Sequence, residues 1–285
     1  MKSITNERLK ELLDISYQCR KNIMRMMKNG EGHIGGAFSI LDIMTVLYNE
    51  ILRHDPKNPK WVDRDRFILS AGHKCLALYA TLANQKYFEE DILYTYNTFN
   101  TRVPMHPDEK SLPGVEFPTG SLGHGLAVGA GMALAAKLDH KPYRVFVVLG
   151  DGEAAEGSIW EAAMSSPNHG LDNLIVILDR NGLQVNGRTM DVMDSSPLED
   201  KFSAFGWQVK TIDGHNMQEI YRTIAQTPFK KKSPSMIIAD TTKCKGLKFA
   251  EGDFNYHHWH CELEEVGSSI EIIDGALREE MDRIG

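Results

Sequence analysis

The sequence predicts an α/β fold in which helices cover both faces of a mostly parallel sheet. Short apolar segments such as Arg144–Leu149 and Asn173–Asp179 alternate with longer segments of helical periodicity. Strands of this kind are buried on both faces, because helices cross over from one parallel strand to the next. Of the 285 residues, 42% are hydrophobic and 25% are charged, which excludes a disordered or low-complexity chain. We therefore expect one doubly wound domain over residues 1–285.

The first part of the chain contains two predicted helices separated by a glycine-rich loop. Apolar residues recur at helical spacing over residues 6–28. The loop Gly30–Gly36 follows, where such a helix would end. Ser39 and Asp42 have the spacing of a capping box, which predicts that a second helix begins there and continues to about Tyr48.

The rest of the chain alternates more regularly. A loop rich in proline and glycine covers residues 100–120, and so long a loop in a compact domain is usually functional. The predicted strands are Arg66–Ser70, Arg144–Leu149, Asn173–Asp179, Trp207–Ile212 and Met236–Ala239. The predicted helices run from the turn at Ala71–His73 to about Tyr87, over Ser121–Leu138, Gly157–Pro167 and Met217–Gln226, and through a helical tail at about 261–285. Ligands of such sheets bind at the carboxyl ends of the strands.

The net charge and the cysteine content limit the kinds of binding partner and the cellular compartment that we expect. The formal net charge is −7 and the only lysine run is Lys230–Lys232, so the sequence does not indicate a nucleic-acid-binding surface. The four cysteines form no Cys-x-x-Cys pair and are too few for a disulfide framework. The N-terminus has no apolar signal core, and the longest aliphatic runs are too short to cross a bilayer. We expect a cytoplasmic protein with no nucleic-acid or membrane partner.

Two predicted strands end in polar residues that suit a divalent cation. The strand ending at Leu149 runs into a Gly-Asp-Gly turn centred on Asp151, and the strand ending at Asp179 runs into Asn181 and Gly182. A carboxylate, an amide oxygen and a nearby backbone carbonyl are ligands of Mg²⁺ or Ca²⁺, and phosphate oxygens would complete the shell. Either segment alone reads as an ordinary β-turn. Two such turns in succession, each closing a buried strand, favour a metal and phosphate site.

Four loop histidines form a second candidate group. Each lies in a segment rich in glycine, proline or polar residues: His33, His73, His106 and His257. A single loop histidine is usually only solvated, but four that converge on one ligand would bond sugar hydroxyls and exchange protons near neutral pH. The neighbouring His258 and His260 also permit a zinc site. That alternative is not favoured, because only Cys261 stands at a suitable ligand spacing.

Four segments of the sequence together resemble one family. They read FILSAGHKCLALYA, LPGVEFPTGSLGHGLAVGAGMALA, GDGEAAEGSIWEAA and LDRNGLQVNG. In combination they resemble the N-terminal half of transketolase over about residues 10–265, and in particular the separately encoded N-terminal subunit of split transketolases. The chain departs from the family at Gly182, where the usual thiamine diphosphate motif has a second Asn, and at His124, where full-length relatives commonly carry Gln.

The resemblance implies a domain that binds the diphosphate end of thiamine diphosphate. The implied ligands of Mg²⁺, for which Ca²⁺ or Mn²⁺ would be substitutes, are Asp151, Asn181 and the main-chain carbonyl of Leu183. The implied contacts to the cofactor are His73, Gly120, Leu122, Gly152, Asn181 and His257. The implied catalytic group is His33, His73, His106, His257, Glu156 and Glu161. Within that group, His33 and His106 would handle the substrate's hydroxyls, and the two glutamates would join paired active sites at a subunit interface.

The implied activity is the transfer of a two-carbon ketol unit from a ketose phosphate to an aldose phosphate. In the family, the Glu that contacts the cofactor's aminopyrimidine ring lies in the following domain, which the 285 residues do not include. We therefore expect half an active site, completed by a C-terminal transketolase subunit in a heterotetramer. The alternatives are the same chemistry on a branched sugar phosphate or sulfonated sugar, the α subunit of a 2-oxo acid dehydrogenase, and a cofactor-binding module that has lost catalysis. The dehydrogenase shares the Gly-Asp-Gly motif but does not predict the histidine segments.

Overall fold

A computed structural model describes residues 3–284, and its central feature is a five-stranded parallel sheet. The strands are β1 (Glu31–Gly32), β2 (Arg66–Leu69), β3 (Val145–Gly150), β4 (Leu174–Arg180), β5 (Leu183–Gln184), β6 (Gly187–Arg188), β7 (Gln208–Asp213), β8 (Ser235–Asp240) and β9 (Trp259–His260). The sheet has the strand order β2-β3-β4-β8-β7, with every neighbouring pair parallel. β1 pairs with β9, and β5 with β6, in two small antiparallel sheets. The predicted α/β fold is confirmed.

Helices cover both faces of this sheet. The α-helices are α1 (Asn6–Met27), α2 (Ile34–Val46), α3 (Cys75–Asn84), α4 (His124–Leu138), α5 (Gly157–Asn168), α6 (Thr189–Val192), α7 (Leu198–Ala204), α8 (Met217–Ile224) and α9 (Leu263–Ile284). Helices α4, α5 and α7 pack on one face, and α1, α2, α3, α8 and α9 on the other. The C-terminal helix α9 lies along α1, where Ile273 and Ala276 are buried.

The side chains of the central strands contribute to two separate hydrophobic cores, one on each face of the sheet. In β3, Val145, Val147 and Leu149 point into the core beneath α4 and α5, whereas Phe146 and Val148 point into the opposite core. All five side chains are fully buried. Burial of each side chain stabilises the fold by roughly 1.5–3 kcal/mol. The sheet is therefore stable and holds the loops at its carboxyl edge in place.

Helix α2 begins at Ile34, so the capping-box prediction for Ser39 and Asp42 is wrong. Both side chains lie inside the helix, which is buried all round. Ser39 Oγ donates to the carboxylate of Asp179 at 2.6 Å, and Asp42 pairs with Arg20 at 3.1 Å. The two polar side chains therefore bond to other elements of the fold and do not cap the start of the helix.

Other element bounds differ from the prediction by a few residues, for local backbone reasons. Helix α3 ends at Asn84, not at Tyr87, because Lys86 has φ +64°. Helix α4 begins at His124, not at Ser121, because the preceding glycine has a left-handed backbone. The loop over residues 100–120 has neither helix nor strand, as predicted. The short strand pairs and helices α6 and α7 were not predicted.

One helical stretch, Ile34–Ile51, is long and apolar enough to cross a membrane by length and composition alone. In the fold, 83% of it is buried against other elements, as in a core helix. All four cysteines are free and buried.

Candidate functional site

A cavity of about 270 Å³ lies at the carboxyl ends of β3 and β4. It is lined by every residue that the sequence assigned to the metal, the cofactor contacts or the histidine group: His33, His73, His106, Gly120, Leu122, Asp151, Gly152, Asn181, Leu183 and His257. A larger depression of about 570 Å³ adjoins it and shares Asp151, Asn181, Leu183 and Lys243, but none of the four histidines. The smaller cavity is therefore the candidate site.

Asp151 lies in the turn after β3 and is only 5% exposed. Its Oδ1 accepts a hydrogen bond from the backbone N–H of Gly152 at 2.9 Å. Its Oδ2 accepts from the N–H of Gly182 at 2.7 Å and from Thr189 Oγ1 at 3.2 Å. Burial, and then the nearby charge of Asp179, raise the pKa of this carboxyl. A cation bound here would relieve both effects.

Asn181 and Leu183 place two more oxygens beside this turn. The N–H of Leu183 donates to Asn181 Oδ1 at 3.1 Å, and Lys243 Nζ donates to the Leu183 carbonyl at 3.4 Å. An amide or carbonyl oxygen has two lone pairs, so each retains one for a metal. Gly182 has φ +73°, a conformation that glycine and asparagine both tolerate, so this departure from the family motif preserves the turn.

The cavity has the features of a binding site for a polar, closely fitted ligand. A Cβ atom at Gly152 would lie 3.0 Å from Gln184, and one at Gly120 would lie 3.1 Å from His106, so the glycines keep space open. His33 Nδ1 and Gln184 Nε2 are buried with no hydrogen-bond partner among the described residues. Together with the oxygen donors, these observations fit a divalent cation and a bound diphosphate.

Two buried lysines, which sequence reasoning missed, add positive charge to the cavity wall. Lys74 Nζ lies 2.5 Å from Asp179 Oδ2, and both side chains are almost fully buried. Lys243 Nζ donates to His257 Nδ1 at 3.1 Å. Burial, followed by the charge of Lys74, lowers the pKa of Lys243 to about 8. Lys74 directly follows His73 within one of the four segments that resemble the family, but nothing in either lysine's sequence context marks its side chain as buried.

The four predicted histidines do converge, around His33. Its ring centroid lies 5.4 Å from that of His73, 5.5 Å from His257 and 6.0 Å from His106. Burial lowers the pKa of His33 to about 4 and that of His257 to about 3. Both imidazoles are therefore neutral near pH 7, so each has one nitrogen that donates and one that accepts.

The structure distinguishes the three histidines near residue 260. His257 lines the cavity, and the ring of His258 packs 4.6 Å from that of His33. The side chain of His260, in β9, is 65% exposed and lies 3.5 Å from Glu262. Within residues 3–284, no three His, Cys, Asp or Glu side chains are grouped to hold a metal ion, so nothing there favours the zinc alternative.

The two predicted interface acids lie outside the cavity. Glu156 is exposed at the start of α5. Glu161 is exposed farther along α5 and lines a groove of about 310 Å³ between α4 and α5. His124 is exposed at the start of α4. Their role at a subunit interface stays a prediction.

Comparison with known proteins gives the family. Residues 20–272 match the family described as transketolase, thiamine diphosphate binding domain. The chain is 43% identical to the 6-deoxy-6-sulfo-D-fructose transketolase subunit SqwG of a Clostridium species, over 86% of the chain and 91% of the relative. It is also 43% identical to one subunit of the apulose-4-phosphate transketolase of Phocaeicola vulgatus, over 86% of the chain and 88% of the relative.

Solved structures agree with this assignment. The transketolase of Leishmania mexicana superposes with a TM-score of 0.82 at 26% identity, covering 99% of this chain and 45% of that protein. The transketolase of Campylobacter jejuni gives 0.81 at 28% identity, covering 97% of this chain and 47% of that protein. The chain thus spans just under half the length of these solved transketolases. It belongs to the transketolase family, whose N-terminal, thiamine diphosphate binding domain it matches over nearly its whole length.

Proposed function

We propose that the chain is the N-terminal subunit of a transketolase, which moves a two-carbon ketol unit from a ketose phosphate to an aldose phosphate. The observation that carries this proposal is the one cavity that contains all the predicted metal, cofactor and histidine positions. Three kinds of group meet there: oxygen ligands for a cation, a buried ammonium group for a diphosphate, and neutral imidazoles for sugar hydroxyls.

The chain's own residues would hold the diphosphate end of the cofactor. Mg²⁺ would bind to Asp151, Asn181 and the carbonyl of Leu183, and Lys243 would balance the remaining charge of the diphosphate, since Lys74 is already paired with Asp179. When bound, thiamine diphosphate would supply a nucleophilic carbon and a positively charged thiazolium ring, and the ring would take up the electron pair of the broken carbon–carbon bond. The protein contributes binding and orientation.

The histidines would bind and orient the sugar. His33 Nδ1 is buried without a partner in the described structure, so a substrate hydroxyl would satisfy it. His33 and His106 are neutral at pH 7, since burial lowers the pKa of both. A neutral imidazole can take a proton from a substrate hydroxyl and return it to a developing alkoxide.

A C-terminal subunit would complete the site. Four large apolar side chains in the segment that follows β5 are 45–60% exposed, and the second of them lines the adjoining depression: Val185, Met190, Val192 and Met193. Val185 itself lines the cavity, so a protein docked on this surface would also close over the cofactor. The Clostridium and Phocaeicola relatives are each named as one subunit of a transketolase. We propose a heterotetramer of two such chains and two partners, which acts in the cytoplasm.

The relatives' names favour a second candidate for the substrate. One is named for 6-deoxy-6-sulfo-D-fructose and the other for apulose 4-phosphate, a branched sugar. The same transfer on a specialised ketose uses the same metal site and histidines. A panel of xylulose 5-phosphate, a sulfonated ketose and a branched ketose phosphate would separate the candidates by their kcat/KM values.

The test of the proposed function is reconstitution. The chain is purified alone and together with the C-terminal transketolase subunit from the same genome, each with excess Mg²⁺ and thiamine diphosphate. We expect ketol transfer from the mixture and none from either chain alone. Robust turnover by this chain alone would contradict the shared site. Tight cofactor binding without turnover of any ketose by the mixture would favour the non-catalytic module.

A further inference from the structure

We propose that Asp179 is a positioning residue that turns the carbonyl oxygen of Asn181 toward the metal. This inference rests on the proposed metal site. Asp179 stands at the carboxyl end of β4, two residues before the ligand, and its side chain is fully buried. It was not among the predicted site residues.

Two hydrogen bonds fix which way the Asn181 amide faces. Its Nδ2 donates to Asp179 Oδ2 at 3.0 Å, and its Oδ1 accepts from the N–H of Leu183 at 3.1 Å. A rotated amide would place its oxygen against the carboxylate and its NH₂ against another N–H, and both contacts would be repulsive. Asp179 therefore keeps the side-chain oxygen of Asn181, and not its NH₂ group, directed toward the metal site.

Asp179 is itself held in place by donors from several elements. Its Oδ2 accepts from Ser39 at 2.6 Å and from Lys74 Nζ at 2.5 Å, and its Oδ1 accepts from Thr241 Oγ1. The charge of Lys74 and these hydrogen bonds hold the pKa of the Asp179 carboxyl low, although burial alone would raise it. A carboxylate fixed on so many sides cannot follow a rotating amide.

The backbone of the same residue reaches the other side-chain ligand. The N–H of Asp151 donates to the carbonyl of Asp179 at 3.1 Å, across the register that pairs Gly150 with Asp179. One residue thus fixes the main chain at Asp151 and the side chain at Asn181. Outer partners of metal ligands commonly change affinity 10- to 100-fold when removed.

The test measures Mn²⁺ binding by electron paramagnetic resonance in the chain assembled with its C-terminal subunit, with saturating thiamine diphosphate. We expect Asp179→Leu to weaken binding on the order of tenfold or more, because leucine offers no acceptor to the Asn181 NH₂ group and permits the rotated amide. In the compensated variant Asp179→Leu/Asn181→Asp, either oxygen of the new aspartate can bind the metal, so its orientation no longer depends on residue 179. We expect this variant to recover most of the affinity, which a merely structural defect would not do.

Two further variants separate orientation from charge. Lys74→Met/Asp179→Leu removes the ammonium that the single variant leaves unpaired, and we expect the weak binding to persist. Ser39→Ala removes one hydrogen bond to Asp179 but none to Asn181, and we expect near-normal binding.

The inference is overturned if Asp179→Leu binds Mn²⁺ normally, if the compensated variant shows no recovery, or if Lys74→Met/Asp179→Leu binds as the wild type does. A wild-type assembly that binds no Mn²⁺ with thiamine diphosphate would contradict the metal site itself and, with it, the proposed function.

Discussion

Removal of the negative charge at Asp151 should nearly abolish metal-dependent binding of thiamine diphosphate. Among the three proposed ligands, Asp151 carries the only full charge, and it is 5% exposed. Loss of one partner from a buried charge pair costs about 3–5 kcal/mol. At 1.4 kcal/mol per tenfold, the Asp151→Asn variant should lose between about 10² and 10⁴ in affinity. Asp151→Ala should show the same loss.

The fold should survive this change. Asparagine keeps one oxygen to accept from Gly182 and Thr189, and loses only the bond from the Gly152 N–H, which is worth about 1 kcal/mol. Calorimetric titration of the assembled enzyme with thiamine diphosphate in Mg²⁺, beside a thermal melt, measures both quantities. Asp172→Asn, which breaks a 2.5 Å ion pair with Lys137 just before β4, is the matched control. Unchanged cofactor affinity in Asp151→Asn would refute the assigned metal site.

Four other outcomes follow from the same geometry. The variants His33→Ala and His106→Ala should bind thiamine diphosphate nearly normally but transfer the ketol unit on the order of a hundredfold more slowly; full turnover in both would remove them from the catalytic group. The His33 imidazole should titrate near pH 4 by NMR, because burial lowers its pKa, and a midpoint near 6.5 would contradict that burial. Between pH 6.5 and 4, His33 binds a proton in the unfolded chain but not in the folded chain. The free energy of unfolding therefore falls as the pH drops through this window, and the variant His33→Gln should make that fall shallower. Val185→Asp should weaken assembly with the partner subunit, measured by analytical ultracentrifugation, whereas Val62→Asp, at a similarly exposed residue away from the cavity, should not.

The site residues that could be predicted from the sequence are those whose position follows from the order of strands and turns along the chain. Asp151 and Asn181 each follow a buried strand directly, so the parallel topology alone brings them to one edge. The histidines came from motifs whose spacing resembles one family. Their convergence on His33 also needed the pairing of β1 with β9, two strands of two residues each that no periodicity can mark.

The other site residues could not be predicted, because their burial depends on tertiary packing and does not follow from residue type. Lys74 and Lys243 have the side-chain type that is most often exposed, and only the packing around the cavity makes them interior cations. Ser39 and Asp42 matched a helix start because small polar residues favour caps. Here the helix is surrounded by protein, so the same residues find partners across the core.

The pairing of β1 with β9 also sets an order of events in time. Residues far apart in sequence close this pair, including the Cys261 N–H bond to the Gly30 carbonyl at 2.9 Å, and closure of so long a loop is entropically expensive. Strands β3 and β4 gain many more bonds and much deeper burial, so they form a more cooperative unit. During synthesis the sheet can therefore assemble before the imidazole group does, and in the mature protein amide hydrogens at Cys261 should exchange with solvent sooner than those within β4.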